Sequence, residues 1–319
     1  MRLSLLVSIL LVAACAAQVP DDPMLETYDR SRLPESDLTL NISGLRPCTS
    51  SLDQAVHINR YEPVVVLTHG CFGSAARFRA LAEVFAFHGQ QAICFTYDDR
   101  DSLTGSATEM ADALRELERH MHQRHITVIA HSQGGLIARK ALTQNLANPL
   151  WPERKSTIRL VTISAPFAGI AAASHCGSET MLTYTLGLVG LACRVITGSK
   201  WFEITDASAF IQQPGELLPE VNEHLKIVTD EHDSCRSYSS GGECLESDFV
   251  FSLEEQYHDP VDHHEGVANI EIRAGHSQIV GDYQTPPHEL ITILQQHGVM
   301  RSTPGERQAA LDMLLSRLY

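Results

Sequence analysis

The sequence predicts an α/β fold in which a mostly parallel sheet carries helices on both faces. Short apolar runs alternate with amphipathic stretches along the middle of the chain, which is typical of buried parallel strands and their crossover helices. The 319 residues, 44% of them hydrophobic, suffice for one large domain with a buried core. We therefore interpret residues 37–319 as one domain, with a cap insertion at 165–223 where the alternation breaks.

The predicted strands are short apolar runs. They are Val64–Leu67, Ala92–Phe95, Ile126–Ala130, Ile158–Ile163, Leu225–Val228 and Ile270–Ile272. Apolar residues at helical spacing predict helices over about 75–87 and 134–146. Another helix is expected to start with Ser106 and Glu109, which have capping-box spacing. A last helix is predicted to begin near Pro304.

The cap insertion contains an apolar run from Met181 to Ile196. Two interpretations stay open for this run: a lid that faces the substrate, or an ordinary core helix with its connecting loop. Either would follow a strand and therefore lie at the edge of the sheet where that strand ends.

The formal net charge of −15 argues against a nucleic-acid partner, because phosphate binding needs clustered Lys and Arg. The sequence contains no P-loop and no G-x-G-x-x-G, so nucleotide-dependent chemistry has no support. Residues 258–265 hold His, Asp and Glu, but their spacing matches no zinc signature, and we expect a hydrated loop. No metal site is predicted.

The first residues have the pattern of an export signal. Arg2 precedes an apolar run over residues 3–14, which is too short to span a membrane as a helix. Residues 12–15 resemble the lipobox of bacterial lipoproteins, and that resemblance implies a signal peptide at 1–14, an acylated Cys15 and a tether at 15–36. The alternative is an ordinary A-x-A-like cleavage site and a secreted or periplasmic product.

Eight cysteines in an exported chain favour disulfides. Cys235 and Cys244 flank a Ser/Gly-rich loop, and Cys176 and Cys193 bracket another variable segment, so we expect these two pairs. Cys94 is expected to be buried in a strand. The pairing of Cys48 and Cys71 stays open, since connectivity does not follow from sequence.

The strongest chemical signal surrounds Ser132, where a predicted strand passes through a small-residue turn into a predicted helix. Ala130 and Gly134, two residues before and after the serine, are small enough for strand and helix to approach each other. Such a turn exposes the hydroxyl at a helix N-terminus, where free backbone N–H groups can bind a developing oxyanion. Ser132 is therefore the candidate nucleophile.

Residues 131–135, His-Ser-Gln-Gly-Gly, resemble the nucleophile elbow of α/β-hydrolase lipases and esterases. The family's first glycine is replaced here by Ala130. Residues 68–74, which contain Gly70 and Gly73, resemble the oxyanion loop of the same family. The resemblance implies that the backbone N–H groups of Cys71 and Gln133 bind the carbonyl oxygen. We expect His69 to be a packing or loop-ordering residue and not a base.

A serine hydroxyl needs a histidine base and an acid that orients this base. His276 follows the predicted strand at 270–272 and opens a segment similar to the family's histidine loop, so it is the candidate base. The family order implies an acid after the strand at 225–228. Its usual offset selects Asp233, and Asp230 is the alternate.

The resemblance implies a serine ester hydrolase that works through an acyl-enzyme on acyl esters, lipids among them, without a metal or organic cofactor. A membrane contact is expected through the lipid on Cys15. The same scaffold supports acyltransferases and thioesterases, and a catalytically silent envelope-binding protein is a rival from another class.

Overall fold

The computed structural model describes residues 32–49, 51–70, 78–98, 101–123, 125–144, 146, 157–171, 200–282 and 285–319. The predicted signal peptide, Cys15 and residues 16–31 of the predicted tether lie outside these ranges, as does the apolar run Met181–Ile196. None of the helices within the described ranges has the length and apolar character needed to cross a membrane.

Eleven strands are found in the described residues. They are β1 Leu38–Leu40, β2 Leu45–Arg46, β3 Val56–Ile58, β4 Val64–Thr68, β5 Gln91–Phe95, β6 His125–His131, β7 Thr157–Ile163, β8 Val221–Asp230, β9 Cys235–Tyr238, β10 Cys244–Ser247 and β11 Val267–Arg273. The described α-helices number nine. They are α1 Arg79–Phe87, α2 Leu103–His120, α3 Gln133–Ala141, α4 Lys200–Glu203, α5 Ala209–Gln212, α6 Leu253–Gln256, α7 Asp259–Asp262, α8 His288–Gln296 and α9 Gln308–Leu318.

Seven strands form the main sheet in the order β11-β8-β7-β6-β4-β5-β2. All neighbours in it pair in parallel except β2, which runs antiparallel to β5 at one edge. The carboxyl ends of β6, β8 and β11 therefore meet at one edge of the sheet. This arrangement brings the residues after these three strands together, and it confirms the predicted α/β class.

The core forms two layers, one on each face of the sheet. Helices α2 and α3 pack on one face, and α1, α8 and α9 pack on the other. The central strands β4 and β5 are buried along their whole length, which explains their continuous apolar runs. Helices on both faces remove both sides of the sheet from water, which is the main stabilising contribution in such a layered domain.

Two predicted helix boundaries differ from the structure. Helix α2 starts one turn early, because Ser102 is its N-cap and accepts a 3.1 Å hydrogen bond from the N–H of Gly105. Helix α3 ends at Ala141 rather than near residue 146, since the chain beyond it pairs with residues 216–218. That long-range pairing satisfies backbone groups that would otherwise have continued the helix.

The second described stretch of the predicted insertion, residues 200–223, is tied to the N-terminus of α2 through Glu203. Its carboxylate accepts hydrogen bonds from the Ser102 hydroxyl at 3.2 Å and from the backbone N–H of Leu103 at 2.5 Å. A carboxylate at this end of a helix is favourable, because the first N–H groups have no partner within the helix.

Two disulfides join Cys48 to Cys94 and Cys235 to Cys244. The second was predicted and is confirmed. The first answers the question that the sequence left open for Cys48, whereas Cys71, Cys176 and Cys193 lie outside the described residues. Disulfides persist in oxidising compartments, so their presence indicates an exported protein.

His224 lies on β8 and is completely enclosed, with its Nε2 2.9 Å from the Thr162 hydroxyl on β7. Burial lowers the pKa of His224 well below its ordinary value, and the nearby charges of Arg139 and Lys226 lower it further. Below about pH 6.5, His224 of the unfolded chain therefore binds a proton that His224 of the folded chain does not bind. Stability contributed by neutral His224 is present above this pH and is lost as the pH falls.

We expect the free energy of unfolding to decrease between pH 7 and pH 5, with a His224 contribution of up to about 1.4 kcal/mol per pH unit. Urea unfolding at pH 7, 6 and 5 measures this slope, which should flatten in His224→Gln. The matched control is His263→Gln, at a side chain that is 81% exposed, and it should keep the wild-type slope. An equal slope in both variants would contradict the prediction.

Candidate active site

Ser132 lies at the tip of a sharp turn between β6 and α3. Its backbone has φ 56° and ψ −131°, a strained conformation for a residue other than glycine. Its N–H donates a 2.8 Å hydrogen bond to the carbonyl oxygen of Ile163, so the turn is held by the neighbouring strand β7. The nucleophile elbow that the sequence predicts is thus the geometry that the chain adopts.

The turn is closely packed against the end of β4. A Cβ atom on Gly134 would lie 2.3 Å from the carbonyl oxygen of His69, and one on Gly70 would lie 2.7 Å from the Cβ of Ser132. Glycine is therefore required at both positions by space, not by a positive φ. The backbone at 69–70 therefore passes directly beside Ser132.

His69 orders this part of the backbone. Its Nδ1 lies 2.8 Å from the carbonyl oxygen of Gly70, and its ring stacks on Tyr97 with a centroid separation of 4.5 Å. The Tyr97 hydroxyl in turn donates a 3.0 Å hydrogen bond to the carbonyl oxygen of His69. Both side chains are buried, as the loop-ordering interpretation of His69 expects.

Of the two residues expected to bind an oxyanion, only Gln133 is described. It is the first residue of α3 and is buried beside Ser132. The first N–H groups of a helix have no partner within the helix, so the backbone of Gln133 is suited to bind a negatively charged oxygen. Cys71 lies outside the described residues.

His276 contacts Ser132. Its Nε2 lies 3.1 Å from the Ser132 hydroxyl oxygen, although 144 residues separate the two in sequence. The backbone N–H of His276 donates to the carbonyl oxygen of Asp248 at 3.0 Å, and its ring meets the Phe251 ring edge to face at 4.9 Å. His276 is therefore buried and held from several sides.

Glu231, which the sequence analysis missed, is the carboxylate beside the imidazole. Its Oε1 lies 2.8 Å from Nδ1 of His276 and its side chain is fully buried. The Thr229 hydroxyl donates to the same oxygen at 3.0 Å, and the N–H groups of Val250 and Phe251 donate to Oε2 at 2.6 and 2.9 Å. Four contacts hold the carboxylate in one position, and an accepting oxygen beside Nδ1 favours the tautomer whose Nε2 can accept a proton.

The two aspartates selected from the sequence do not reach His276. Asp233 is 71% exposed, has φ 60° in a turn, and pairs with His232 at 2.9 Å and with Arg273 at 3.8 Å. Asp230 accepts a hydrogen bond from the N–H of His232 at 3.1 Å. Strand β8 runs two residues further than predicted, to Asp230, and Glu231 follows it directly, so the offset of several residues that selected Asp233 does not apply here.

Strand geometry explains why Glu231 rather than Asp230 faces the imidazole. Successive side chains of a strand point to opposite faces, so Glu231 shares a face with Thr229 while Asp230 points away. The Thr229 hydroxyl also lies 2.7 Å from that of Ser164, which extends the polar contacts behind the carboxylate. Period-two alternation could have excluded Asp230, but it does not separate Glu231 from Asp233, so the sequence carried no signal that selects Glu231.

A second histidine, His131, lies directly before the nucleophile. Its Nε2 lies 2.9 Å from the carbonyl oxygen of His276, and the centroids of the two rings are 4.6 Å apart. A carbonyl only accepts hydrogen bonds, so Nε2 of His131 is the donor. His131 therefore supports the backbone of the histidine loop.

The segment at 258–265 makes hydrogen bonds within the protein. Asp262 binds the ammonium group of Lys226 and the backbone N–H of His258. Burial lowers the pKa of Lys226, and Asp262 opposes that shift. Across the described ranges, no group of three or more His, Cys, Asp or Glu side chains is arranged to hold a metal ion.

Gly134→Ala should both destabilise the protein and distort the turn, since the added methyl group would collide with the His69 carbonyl oxygen. We expect a loss of about 1–3 kcal/mol in the free energy of unfolding, measured by urea denaturation. The control is Gly105→Ala near the start of α2, where the nearest atom to the new Cβ is 3.7 Å away. That variant should be as stable as the wild type or slightly more stable; equal losses in the two variants would refute the argument from space.

Several solved structures resemble the fold at low sequence identity. The propeptide form of the Bacillus licheniformis lipase BlEst2 aligns with 76% of this chain at 14% identity and a TM-score of 0.52, and the match spans 52% of the BlEst2 chain. The Pyrococcus furiosus esterase PF2001 aligns over 88% of this chain and 94% of its own, at 13% identity and a TM-score of 0.49. The sheet order and the first of these similarities show an α/β-hydrolase fold.

No curated protein sequence matches the chain. A family model described as "Domain of unknown function (DUF7379)" matches residues 44–237. This range includes the strand–turn–helix around Ser132 as well as Glu231, and it ends before His276. Because the match covers more than half of the chain, the protein belongs to the DUF7379 family.

Proposed function

We propose that this protein is a serine ester hydrolase that uses Ser132 as nucleophile, His276 as base and Glu231 as the acid that orients the base. The observation that carries the proposal is the continuous line of contacts from the Ser132 hydroxyl through the His276 imidazole to the buried Glu231 carboxylate, at 3.1 and 2.8 Å. The proposed base is thereby within hydrogen-bond reach of both the proposed nucleophile and the proposed acid, as acyl transfer requires.

The proposed reaction has two steps. Nε2 of His276 takes the hydroxyl proton while the Ser132 oxygen attacks the ester carbonyl carbon, and the same proton then leaves with the alcohol. An acyl-enzyme remains, which a water molecule attacks while it gives a proton to His276; this proton then passes to the Ser132 oxygen as the bond to the acyl group breaks, so that the carboxylic acid and the free Ser132 hydroxyl are released. The backbone N–H groups of Gln133 and Cys71 are the proposed donors to the oxyanion in both steps.

Acyl esters, including those of lipids, are the proposed substrates. The apolar run Met181–Ile196 in the proposed cap 165–223 supports a preference for acyl chains, and we propose that a lipid on Cys15 tethers the exported domain to a membrane. Mass spectrometry of the protein expressed in bacteria tests the tether: an acylated N-terminal Cys15 is expected, and a mature chain that starts after Cys15 without lipid would contradict it.

Two measurements on the full chain test the enzymatic proposal. A fluorophosphonate probe should label the wild type at Ser132, and Ser132→Ala should remove this labelling. A panel of p-nitrophenyl esters of increasing acyl length should show hydrolysis by the wild type and by the control Asp233→Asn, whose carboxylate is exposed. Absence of both labelling and hydrolysis in folded wild-type protein would refute the proposal and favour a silent binding protein.

The ester panel also separates hydrolysis from transfer. When an alcohol acceptor is added to the same reactions, the free carboxylic acid should still be the main acyl product, because water is the proposed second substrate. An acyl product found mainly on the alcohol would assign the protein to the acyltransferases that share this scaffold.

A further inference from the structure

Asp248 is a buried carboxylate that does not contact the imidazole but holds the loop that carries it. Its Oδ1 and Oδ2 lie 3.1 and 3.0 Å from the backbone nitrogen of Ser277, and Oδ2 accepts from the N–H of Gln278 at 2.9 Å. Its own carbonyl oxygen accepts from the N–H of His276 at 3.0 Å. One residue therefore binds three consecutive N–H groups, 276 to 278.

The fit between Asp248 and this loop is tight. A Cβ on Gly275 would lie 2.2 Å from Oδ2 of Asp248, so the glycine before the histidine lets the carboxylate approach the backbone. Burial raises the pKa of Asp248, while the N–H groups of Gln278 and Ser277 oppose this shift. The residue is 3% exposed, and a buried carboxylate is costly unless such donors satisfy it.

Asp248 is also linked to Glu231, the carboxylate beside Nδ1 of the imidazole. Its N–H donates to the carbonyl oxygen of Ser234 at 3.1 Å, and the Ser234 hydroxyl and N–H donate to the carbonyl oxygen of Glu231 at 2.6 and 3.1 Å. The Glu231 carboxylate binds the N–H groups of Val250 and Phe251, just beyond Asp248. Segment 248–251 is thus bound both to the proposed acid and to the loop of the proposed base.

We propose that Asp248 is a positioning residue that fixes the His276 loop, so that Nδ1 of the imidazole meets Glu231 while Nε2 meets Ser132. This inference rests on the proposed function, because it assigns a role within the same acyl transfer. Without the contacts of the carboxylate to the N–H groups of Ser277 and Gln278 the loop can move, and a shift of about 1 Å in a reacting group costs about 100-fold in rate.

The test compares Asp248→Ala, Asp248→Asn and the control Glu246→Gln, whose carboxylate is 56% exposed and pairs with Arg236 on the neighbouring strand. With the best p-nitrophenyl ester, we expect kcat to fall about 100-fold in Asp248→Ala. The loss should be about 10-fold in Asp248→Asn, which keeps one acceptor oxygen, and KM should stay within about twofold in both. The Glu246→Gln variant should match the wild type.

Hydrogen exchange of the peptide that spans residues 275–281 supplies a readout that does not depend on activity. Exchange at 277 and 278, whose N–H groups bind the Asp248 carboxylate, should be faster in Asp248→Asn and fastest in Asp248→Ala, with other regions unchanged. In Asp248→Ala, a kcat within twofold of the wild type, a rise in KM that matches the fall in kcat, or unchanged exchange would each overturn the proposal. Should Asp248→Ala fail to fold, Asp248→Asn decides by the same criteria.

The two proposals fail in different ways. Lack of ester hydrolysis and of Ser132 labelling in the wild type refutes the proposed function and with it a catalytic role for Asp248, whatever the exchange data show. Normal wild-type activity, lost in Ser132→Ala but kept in Asp248→Ala, refutes the positioning role alone.

Discussion

Replacement of Ser132 or His276 by alanine should lower kcat about 10⁶-fold on any ester that the wild type hydrolyses. The double variant should be no slower than either single variant. The proposed nucleophile and base act as a unit through their 3.1 Å contact, so the loss of either one already disables both. Initial rates with a p-nitrophenyl ester measure both effects, and single-turnover acylation shows that the first chemical step is the one affected.

The neighbouring histidine provides the control for the base. His131 lies next to Ser132 in sequence, and its ring centroid is 4.6 Å from that of His276, yet its Nε2 is committed to the carbonyl oxygen of His276. His131→Gln should therefore reduce kcat far less than His276→Ala. A larger fall in kcat in His131→Gln than in His276→Ala would show that the base is His131.

Glu231→Gln should lower kcat about 10⁴-fold, the scale of loss when the carboxylate of a serine triad becomes an amide. The amide NH₂ group can donate to Nδ1 and thereby favour the tautomer whose Nε2 carries the proton and cannot accept the Ser132 proton. The amide also replaces one of the oxygens that now bind Thr229, Val250, Phe251 and His276. Unfolding in urea distinguishes this loss from a loss of folded protein.

Asp233→Asn and Asp230→Asn are the matched controls for Glu231, since they remove a nearby carboxylate that does not touch the imidazole. Both should keep kcat within about twofold of the wild type, as surface substitutions away from a site do. A crippled Asp233→Asn beside an active Glu231→Gln would restore the acid expected from the sequence and would mean that the loop after β8 rearranges for catalysis.

The alternation of buried runs and amphipathic stretches was sufficient to predict the fold class, because burial of a parallel sheet on both faces leaves a continuous apolar signature in each strand. Ser132 could be recognised for a similar reason: a strained turn tolerates only small neighbours, and Gly134 satisfies a clearance that the structure shows to be real. His276 followed from the resemblance and from its position after the last predicted strand.

The acid could not be located in this way, since it depends on where a strand ends in three dimensions. The apolar run of β8 stops at Val228, but its pairing with β11 continues to Asp230, and two residues decide which side chain faces the imidazole. Glu231 was also missed because only the two aspartates of this segment were considered. Counting from the last apolar residue fails here, because the strand extends as far as its pairing with β11 and not only as far as its apolar residues.

By itself, the sequence determined the layered α/β class, the turn that presents Ser132 and the disulfide between Cys235 and Cys244, because each of these depends on residues close together in the chain. Tertiary structure alone decided the partner of Cys48 and the approach of Glu231 and Asp248 to the His276 loop. Those contacts join segments that local propensities position only roughly, and only the fold decides which carboxylate comes within hydrogen-bond distance of the imidazole.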